Sequence, residues 1–124
     1  MSESAESLAL VIRSAPETDV SGRGALDVAL AAASIGWPLD LYFVGDGLRH
    51  LVPLPDGNRT RADHARSWRA LVELTDVAGW YDEFGRQHLP AAVSAETVRV
   101  LKLEPLAVEA MSEQWREAGR VVVL

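Results

Sequence analysis

Short apolar runs alternate with longer stretches of mixed polarity along this chain. Leu8 to Ile12 and Leu39 to Val44 are apolar throughout or nearly so, which is typical of strands that are buried on both faces. Residues 77–81 carry a weaker apolar run, residues 98–103 alternate between apolar and polar positions, and residues 121–124 are apolar again. The hydrophobic pattern therefore predicts five strands, each buried on both faces.

The stretches between these runs carry apolar residues at helical spacing. We expect helices over residues 23–35, 63–74 and 108–118, a short helical turn over 48–55, and a short helix or loop over 82–88. Ser21 is the expected cap of the first helix, and Gly36 its expected end. Strands that alternate with helices predict an α/β fold with a parallel sheet and helices on both of its faces.

Length and composition favour a single folded domain. The chain has 124 residues, 48% of them hydrophobic and 24% charged, which is the balance of a globular protein. We expect one domain over residues 8–124, preceded by a disordered segment over residues 1–7. The start of the chain is acidic and no tract is apolar for long enough to cross a bilayer, so we expect a cytoplasmic protein without a membrane partner.

The chain contains no cysteine. Disulfides, thiolate nucleophiles, persulfides and cysteine-ligated metal centres are therefore excluded. The three histidines, His50, His64 and His88, lie far apart in the sequence, and we favour separate surface positions over a metal site. We expect neither a metal nor a cofactor.

The charge of the chain argues against a nucleic-acid partner. Eighteen acidic and 12 basic residues give a net charge of −6, which a phosphate backbone repels. A local basic cluster is formed by Arg59, Arg61, Arg66 and Arg69. The solvated face of a helix is the favoured interpretation of this cluster, and a docking patch for an acidic protein partner is the alternative.

Ligand sites in parallel sheets lie at the carboxyl ends of the strands, but the loops expected there carry no complete motif. Gly22-Arg-Gly24 lacks the lysine and hydroxyl of a phosphate-binding loop. Gly45-Asp-Gly47 lacks the third glycine of a dinucleotide fingerprint, and its aspartate is expected to cap the following turn. The first strand ends in Arg13-Ser14, without the acidic pair that a phosphoacceptor receiver domain requires.

A pair of carboxylates, Asp82 and Glu83, directly follows the third predicted strand. No histidine or metal site near them in sequence indicates acid–base chemistry, so a capping or solvated role is favoured. The aromatic residues around them, Trp80, Tyr81 and Phe84, indicate a buried contact either with the core or with a neighbouring subunit. Both alternatives remain open at the level of sequence.

The order of several short motifs resembles the DsrE/DsrF-like sulfur-relay proteins, and most closely the TusC/DsrF branch. These motifs are Arg13-Ser-Ala-Pro16, Ser21-Gly-Arg-Gly-Ala-Leu-Asp27, Asp40-Leu-Tyr-Phe-Val-Gly-Asp-Gly-Leu48, Leu51-Val-Pro53, Glu104-Pro-Leu106, the helix through Trp115, and Val121-Val-Val-Leu124. The resemblance covers nearly the whole chain from Leu8 onward. It implies a three-layer α/β/α domain with a five-stranded parallel sheet, and assembly into an oligomer.

The resemblance also implies where sulfur chemistry would lie. In sulfur-carrying members a cysteine follows the third strand, and Glu83 stands nearest that position here. The first hypothesis is therefore a non-catalytic subunit of a TusBCD/DsrEFH-like complex, which supports persulfide transfer by a cysteine-bearing companion in tRNA thiolation or sulfur oxidation. Its partners would be DsrE/TusD-like and DsrH/TusB-like subunits. The candidate interface residues are Trp80, Tyr81, Asp82, Glu83, Phe84, Leu48 and Leu51.

The second hypothesis is a cysteine-free homo-oligomer, a trimer or hexamer, that binds a small molecule or a protein outside sulfur transfer. A free-standing enzyme has little support, because no nucleophile, base or metal site can be named from the sequence.

Overall fold

A computed structural model describes residues 7–16, 20–52, 67–89 and 92–124. Its centre is a five-stranded sheet in which every pair of neighbouring strands is parallel. The strands are β1 (Leu8–Ile12), β2 (Leu39–Phe43), β3 (Val77–Asp82), β4 (Leu103–Leu106) and β5 (Arg120–Val123). They lie in the order β4-β3-β2-β1-β5, so the first strand is internal and the last is an edge strand. The predicted five-stranded parallel sheet is confirmed.

Helices connect the strands. The α-helices are α1 (Val20–Ser34), α2 (Glu83–Gln87), α3 (Ala95–Val100) and α4 (Val108–Glu117). Two 3₁₀ helices, Gly45–Leu51 and Ala70–Glu73, follow β2 and precede β3, and residues 67–69 are helical. Within the described residues no helix is both long and apolar enough to cross a membrane.

The residues of β1 alternate between two separate hydrophobic cores. Leu8, Leu10 and Ile12 join α1, Trp68 and Leu71 on one face of the sheet. Ala9 and Val11 face the other side, where Met111 and Trp115 of α4 cover them. This alternation follows from the two-residue period of a strand, and it gives the predicted layers of helix, sheet and helix.

The last strand departs from the prediction that all strands are buried on both faces. All five residues of β1 are buried, but all four residues of β5 are exposed. β5 pairs only with β1 and lies at the edge of the sheet. An apolar run alone does not distinguish an internal strand from an edge strand, which is why Val121, Val122 and Val123 were expected to be buried.

The predicted strand over residues 98–103 is wrong. Most of this stretch belongs to α3 and to the turn after it, and β4 begins only at Leu103. The Ser94 side chain caps α3 by accepting a hydrogen bond from the Thr97 N–H at 3.2 Å. Lys102 then adopts a left-handed conformation, with a φ of 57°, which ends the helical segment. Val98 and Val100 at alternate positions are compatible with a short helix as well as with a strand. The Ser94 cap favours the helix.

Other boundaries differ by a few residues. Helix α1 already begins at Val20, so Ser21 lies within the helix and is not its cap, whereas Gly36, with a φ of 80°, follows its end as expected. The short turn predicted at 48–55 is a 3₁₀ helix that starts at Gly45. Asp46 lies inside this helix and pairs loosely with Arg49, so it does not cap it.

Some predictions fall on residues outside the described ranges. These are the first six residues of the expected disordered segment, the first part of the helix predicted at 63–74, and the side chains of Arg59, Arg61, Arg66 and His64. The fourth arginine of that cluster, Arg69, is described and pairs with Glu96 of α3. In the described part of this segment, Trp68 and Leu71 are buried, whereas Val72 is exposed.

Candidate functional site

The junction between β3 and α2 places a carboxylate at the carboxyl edge of the sheet. Asp82 ends β3 and is the N-cap of α2, where its Oδ1 accepts a hydrogen bond from the Phe84 N–H at 3.1 Å. Only 7% of Asp82 is exposed, whereas the neighbouring Glu83 is exposed. The capping role that the sequence favours for this acidic pair therefore belongs to Asp82.

A cavity of about 400 Å³ opens beside Asp82, between the start of α2 and the start of α4. It is lined by Asp82, Glu83, Phe84, Gln87, Ala107, Val108 and Glu109. Three of these seven side chains are carboxylates and none is basic. The cavity lies at the ends of the neighbouring strands β3 and β4, which is the edge of a parallel sheet where ligands bind.

The aromatic residues around this junction divide between the core and the surface. Trp80 is half-buried and stacks on Tyr42, with ring centroids 5.0 Å apart, and Tyr81 is buried on the opposite face of the sheet. Phe84 is 69% exposed and packs on the ring of His88 at a centroid distance of 4.2 Å. The three aromatic residues therefore differ in position. Trp80 and Tyr81 pack in the core, and Phe84 lies on the surface.

Leu48 and Leu51, two of the candidate interface residues, expose no surface in the single chain. Both belong to the hydrophobic core on the face of the sheet that α1 also covers. Their 3₁₀ helix turns its apolar side inward because Leu48 and Leu51, three residues apart, lie on one face of it. Of the seven candidate interface residues, only Glu83 and Phe84 are exposed.

His50 is a buried structural residue, which corrects the prediction of a surface position. Its Nε2–H donates to the Ser14 carbonyl at 2.9 Å, and its Nδ1 accepts from the Trp68 indole N–H at 3.3 Å. Through these two hydrogen bonds His50 joins the loop after β1 to the helical segment at Trp68. His88 is exposed, as expected.

Tyr42 is a polar core residue that the sequence did not single out. Its hydroxyl donates to Gln114 Oε1 at 2.8 Å, and the Trp115 ring meets its ring edge-on at 5.6 Å. Burial, together with the charge of Asp40, raises the pKa of Tyr42 to about 12, so the phenol stays protonated and remains a donor at neutral pH. This contact holds α4 against the sheet. Tyr42 and Gln114 lie far apart in the sequence, so the sequence alone does not show that they meet.

Comparison with known proteins agrees with this architecture. The DsrE/DsrF-like family matches residues 6–124 of the chain. The chain belongs to the DsrE/DsrF-like family. A similar fold is found in the crystal structure of the YchN protein from E. coli, with a TM-score of 0.67 over 96% of this chain and 99% of that one. The two sequences are 14% identical, so this likeness concerns the fold alone.

For a DsrE/DsrF-like chain, the segment after β3 is the place where the sequence resemblance expects a cysteine in sulfur-carrying members. Here that segment is the first turn of α2, and Glu83 stands exposed at the rim of the cavity. Among the described residues, no three histidine, aspartate or glutamate side chains converge as metal ligands would. The chemistry available at this edge is therefore that of carboxylates and an exposed phenyl ring.

Proposed function

We propose that this DsrE/DsrF-like chain is a non-catalytic, TusC/DsrF-type subunit of a cytoplasmic sulfur-relay complex. The observation that carries the proposal is the start of α2, where Glu83 occupies the place expected for a cysteine in a chain that has none. A carboxylate cannot form a persulfide. The cysteine that carries sulfur would therefore belong to a companion DsrE/TusD-like subunit, with a DsrH/TusB-like subunit as the third component.

Two buried ionisable residues near this edge, Asp82 and His50, make structural hydrogen bonds. Asp82 caps α2 through one carboxylate oxygen. His50 uses both ring nitrogens within the fold. General-base catalysis needs a group within hydrogen-bonding reach of a substrate proton, and a histidine that is buried and bonded on both sides does not offer one.

The surface beside Glu83 supports a role in assembly. Phe84 exposes more than two-thirds of its surface on the solvent side of α2, next to the ring of His88. Aromatic side chains are enriched in protein interfaces and contribute much of their binding energy. We therefore expect Phe84 to contact a companion subunit.

Co-expression with cysteine-bearing DsrE/TusD-like and DsrH/TusB-like subunits, followed by native mass measurement, tests this function. We expect a mixed oligomer, and we expect Phe84→Ser to weaken its assembly about tenfold or more without lowering the melting temperature of the isolated chain. Leu74→Ser is the matched control, because Leu74 is 47% exposed but precedes β3 at the opposite edge of the sheet. A chain that ignores these companions, or equal effects of the two variants, would contradict the proposal.

The second candidate function is a homo-oligomer that binds a ligand outside sulfur transfer. The cavity beside Asp82 favours it, because a space of about 400 Å³ lined by three carboxylates is not required for a purely structural subunit. A stable trimer or hexamer of this chain alone, unchanged by the companions, is the result expected for this alternative.

A further inference from the structure

The two edges of the sheet differ in how they are protected. Strands β4 and β5 form these edges. β4 contains Glu104 and Pro105, and a proline within a sheet lies on an edge with its nitrogen facing solvent, where it removes a donor that a further strand would need. β5 contains three consecutive valines and no proline, and its one charged residue is Arg120. The β5 edge is therefore the more open of the two to a further strand.

The backbone of β5 presents unpaired groups on its outer side. The Leu124 N–H donates to β1 at Val11, and the Leu124 carbonyl accepts from the residue that follows β1. Because backbone groups alternate in direction along a strand, those of Val122 also face β1, whereas those of Val121 and Val123 point outward. No other strand of the described sheet lies on that side, so these outward groups face solvent.

The side chains of β5 are accessible on both faces of the sheet. Val121, Val122 and Val123 are 39%, 36% and 52% exposed. Successive side chains of a strand point to opposite faces, so neither α1 on one face nor α4 on the other covers this edge completely. A further strand can therefore reach the outward backbone groups without displacing a helix.

The sequence of β5 is suited to pairing with itself. In an antiparallel pair centred on Val122, the outward groups of Val121 in one copy meet those of Val123 in the other, and the reverse pair forms by symmetry. Each outward donor then lies opposite an acceptor. Valine faces valine at all three positions, and β-branched side chains pack well against one another across strands.

The charges of the chain also favour this arrangement. A net charge of −6 makes two copies repel each other over most of their surface, but residues 118–124 carry no acidic side chain. In the antiparallel register each Arg120 lies opposite Leu124 of the other copy. The two Arg120 Cα atoms are then roughly 13 Å apart along the sheet, which exceeds the Debye length of about 8 Å. Two copies therefore meet less repulsion at this edge than elsewhere.

We propose that β5 pairs with β5 of a second copy of this chain, in antiparallel orientation and in the register centred on Val122. The two sheets then form one continuous sheet. The contact is small, because a stable interface uses about 20–30 residues on each side and β5 supplies only four. We therefore expect a weak dimer, with a dissociation constant between about 10 μM and 1 mM.

Sedimentation and amide exchange of the purified chain test the pairing. We expect the average mass to rise toward twice its value in dilute solution between about 10 μM and 1 mM. Exchange of the Val121 and Val123 amides should slow over the same range because they gain acceptors, whereas the Val122 amide already bonds to β1 and should change less. Constant mass and exchange rates would overturn the proposal and leave the edge to a strand of a different protein.

Charged residues at position 122 test the register. Val122→Lys and Val122→Glu each place like charges opposite each other on the two-fold axis, so each should weaken dimerisation about tenfold or more. An equimolar mixture places lysine opposite glutamate and should restore the dimer. Val72→Lys is the matched control, because Val72 has a similar exposure of 39% and lies outside β5, in the 3₁₀ helix before β3. Equal effects of Val122→Lys and the control, or a mixture that does not associate, would refute the proposal.

A backbone variant separates pairing from folding. Val123→Pro removes an N–H that faces solvent in the single chain, which imitates the proline of β4, so the domain should keep its circular dichroism spectrum and lose the dimer. A folded Val123→Pro chain that still dimerises would overturn the proposal. The pairing does not rest on the sulfur-relay role. Because every measurement uses this chain alone, failure to join sulfur-relay companions would affect none of these results.

Discussion

Gly47 lies where two backbone segments approach each other at the carboxyl edge of the sheet. A Cβ at Gly47 would overlap the Ile12 carbonyl oxygen, which itself accepts a hydrogen bond from the Val44 N–H at 3.0 Å. The backbone of the first 3₁₀ helix therefore rests directly on the end of β1. Only a residue without a side chain fits at this position.

We expect Gly47→Ala to lower the free energy of unfolding by about 1–3 kcal/mol, because the Ile12 backbone has to move to accept the methyl group. Gly24→Ala is the matched control. Gly24 lies in α1 with no atom near its absent Cβ, so this variant should be neutral or up to about 1 kcal/mol more stable. Urea unfolding of both variants measures the difference. Equal stabilities would contradict the close approach of the two segments.

The role of Gly47 was not accessible from the sequence for a physical reason. Gly45-Asp-Gly47 was compared with a dinucleotide fingerprint because local sequence shows only the spacing of glycines. The requirement for glycine arises from Ile12, which is distant along the chain and adjacent in space. The same holds for His50, whose partners Ser14 and Trp68 come from two other segments.

Among the elements, α3 is a short helix whose formation depends on its N-terminal cap. It contains only six residues, Ala95–Val100, which is too short for helix propensity alone to stabilise it. The Ser94 side chain bonds the Thr97 N–H, and the packing of Val98 against the core adds apolar contact. The cap and the core contact together fix a helix where alternating valines predicted a strand.

We expect Ser94→Ala to lower the free energy of unfolding by about 1 kcal/mol, because an N–H at the start of α3 loses its acceptor. Ser34→Ala serves as the control, since Ser34 is exposed and its hydroxyl only bonds the Leu30 carbonyl within α1. The control should change stability by less than about 0.5 kcal/mol. Thermal unfolding monitored by circular dichroism compares the two. A control as destabilised as Ser94→Ala would show that the cap has no special importance.

At the scale of the whole molecule, the alternation of strands and helices was enough to predict the parallel sheet and its layers. β1 and β2 were placed correctly because each coincides with a short, mainly apolar run, interrupted only by Asp40 in β2, that ends at turn residues. The exposure of β5 was not predictable, because edge and internal strands can share one composition. The cavity was not predicted: the sequence singled out Asp82, Glu83 and Phe84 for capping or for an interface, and Gln87, Val108 and Glu109 join them only through folding.

Deletion of residues 120–124 should prevent folding of the domain. β5 provides the outer neighbour of β1, and Leu124 exchanges backbone hydrogen bonds with Val11 and Arg13 at 2.8 and 2.9 Å. Without them, an edge of the fully buried β1 would be open to water. Size-exclusion chromatography and circular dichroism should show aggregation or loss of structure.

The control for this deletion keeps the strand but reduces its apolar surface. Val121→Thr combined with Val123→Thr retains a β-branched side chain at both exposed positions, so the protein should stay folded with nearly the same melting temperature. A folded deletion variant, or an unfolded double variant, would show that backbone pairing along β5 is not what the domain requires.

The pairing of residue 8 with residue 120 also matters while the protein is being made. On the ribosome, β1 can pair with β2 soon after residue 43 emerges, but its other edge stays bare until nearly the whole domain has been translated. Loop closure over so much chain is slow, and a bare apolar edge invites pairing between nascent chains on one messenger RNA. Efficient production of this protein should therefore depend on chaperones that cover β1 until β5 has been synthesised.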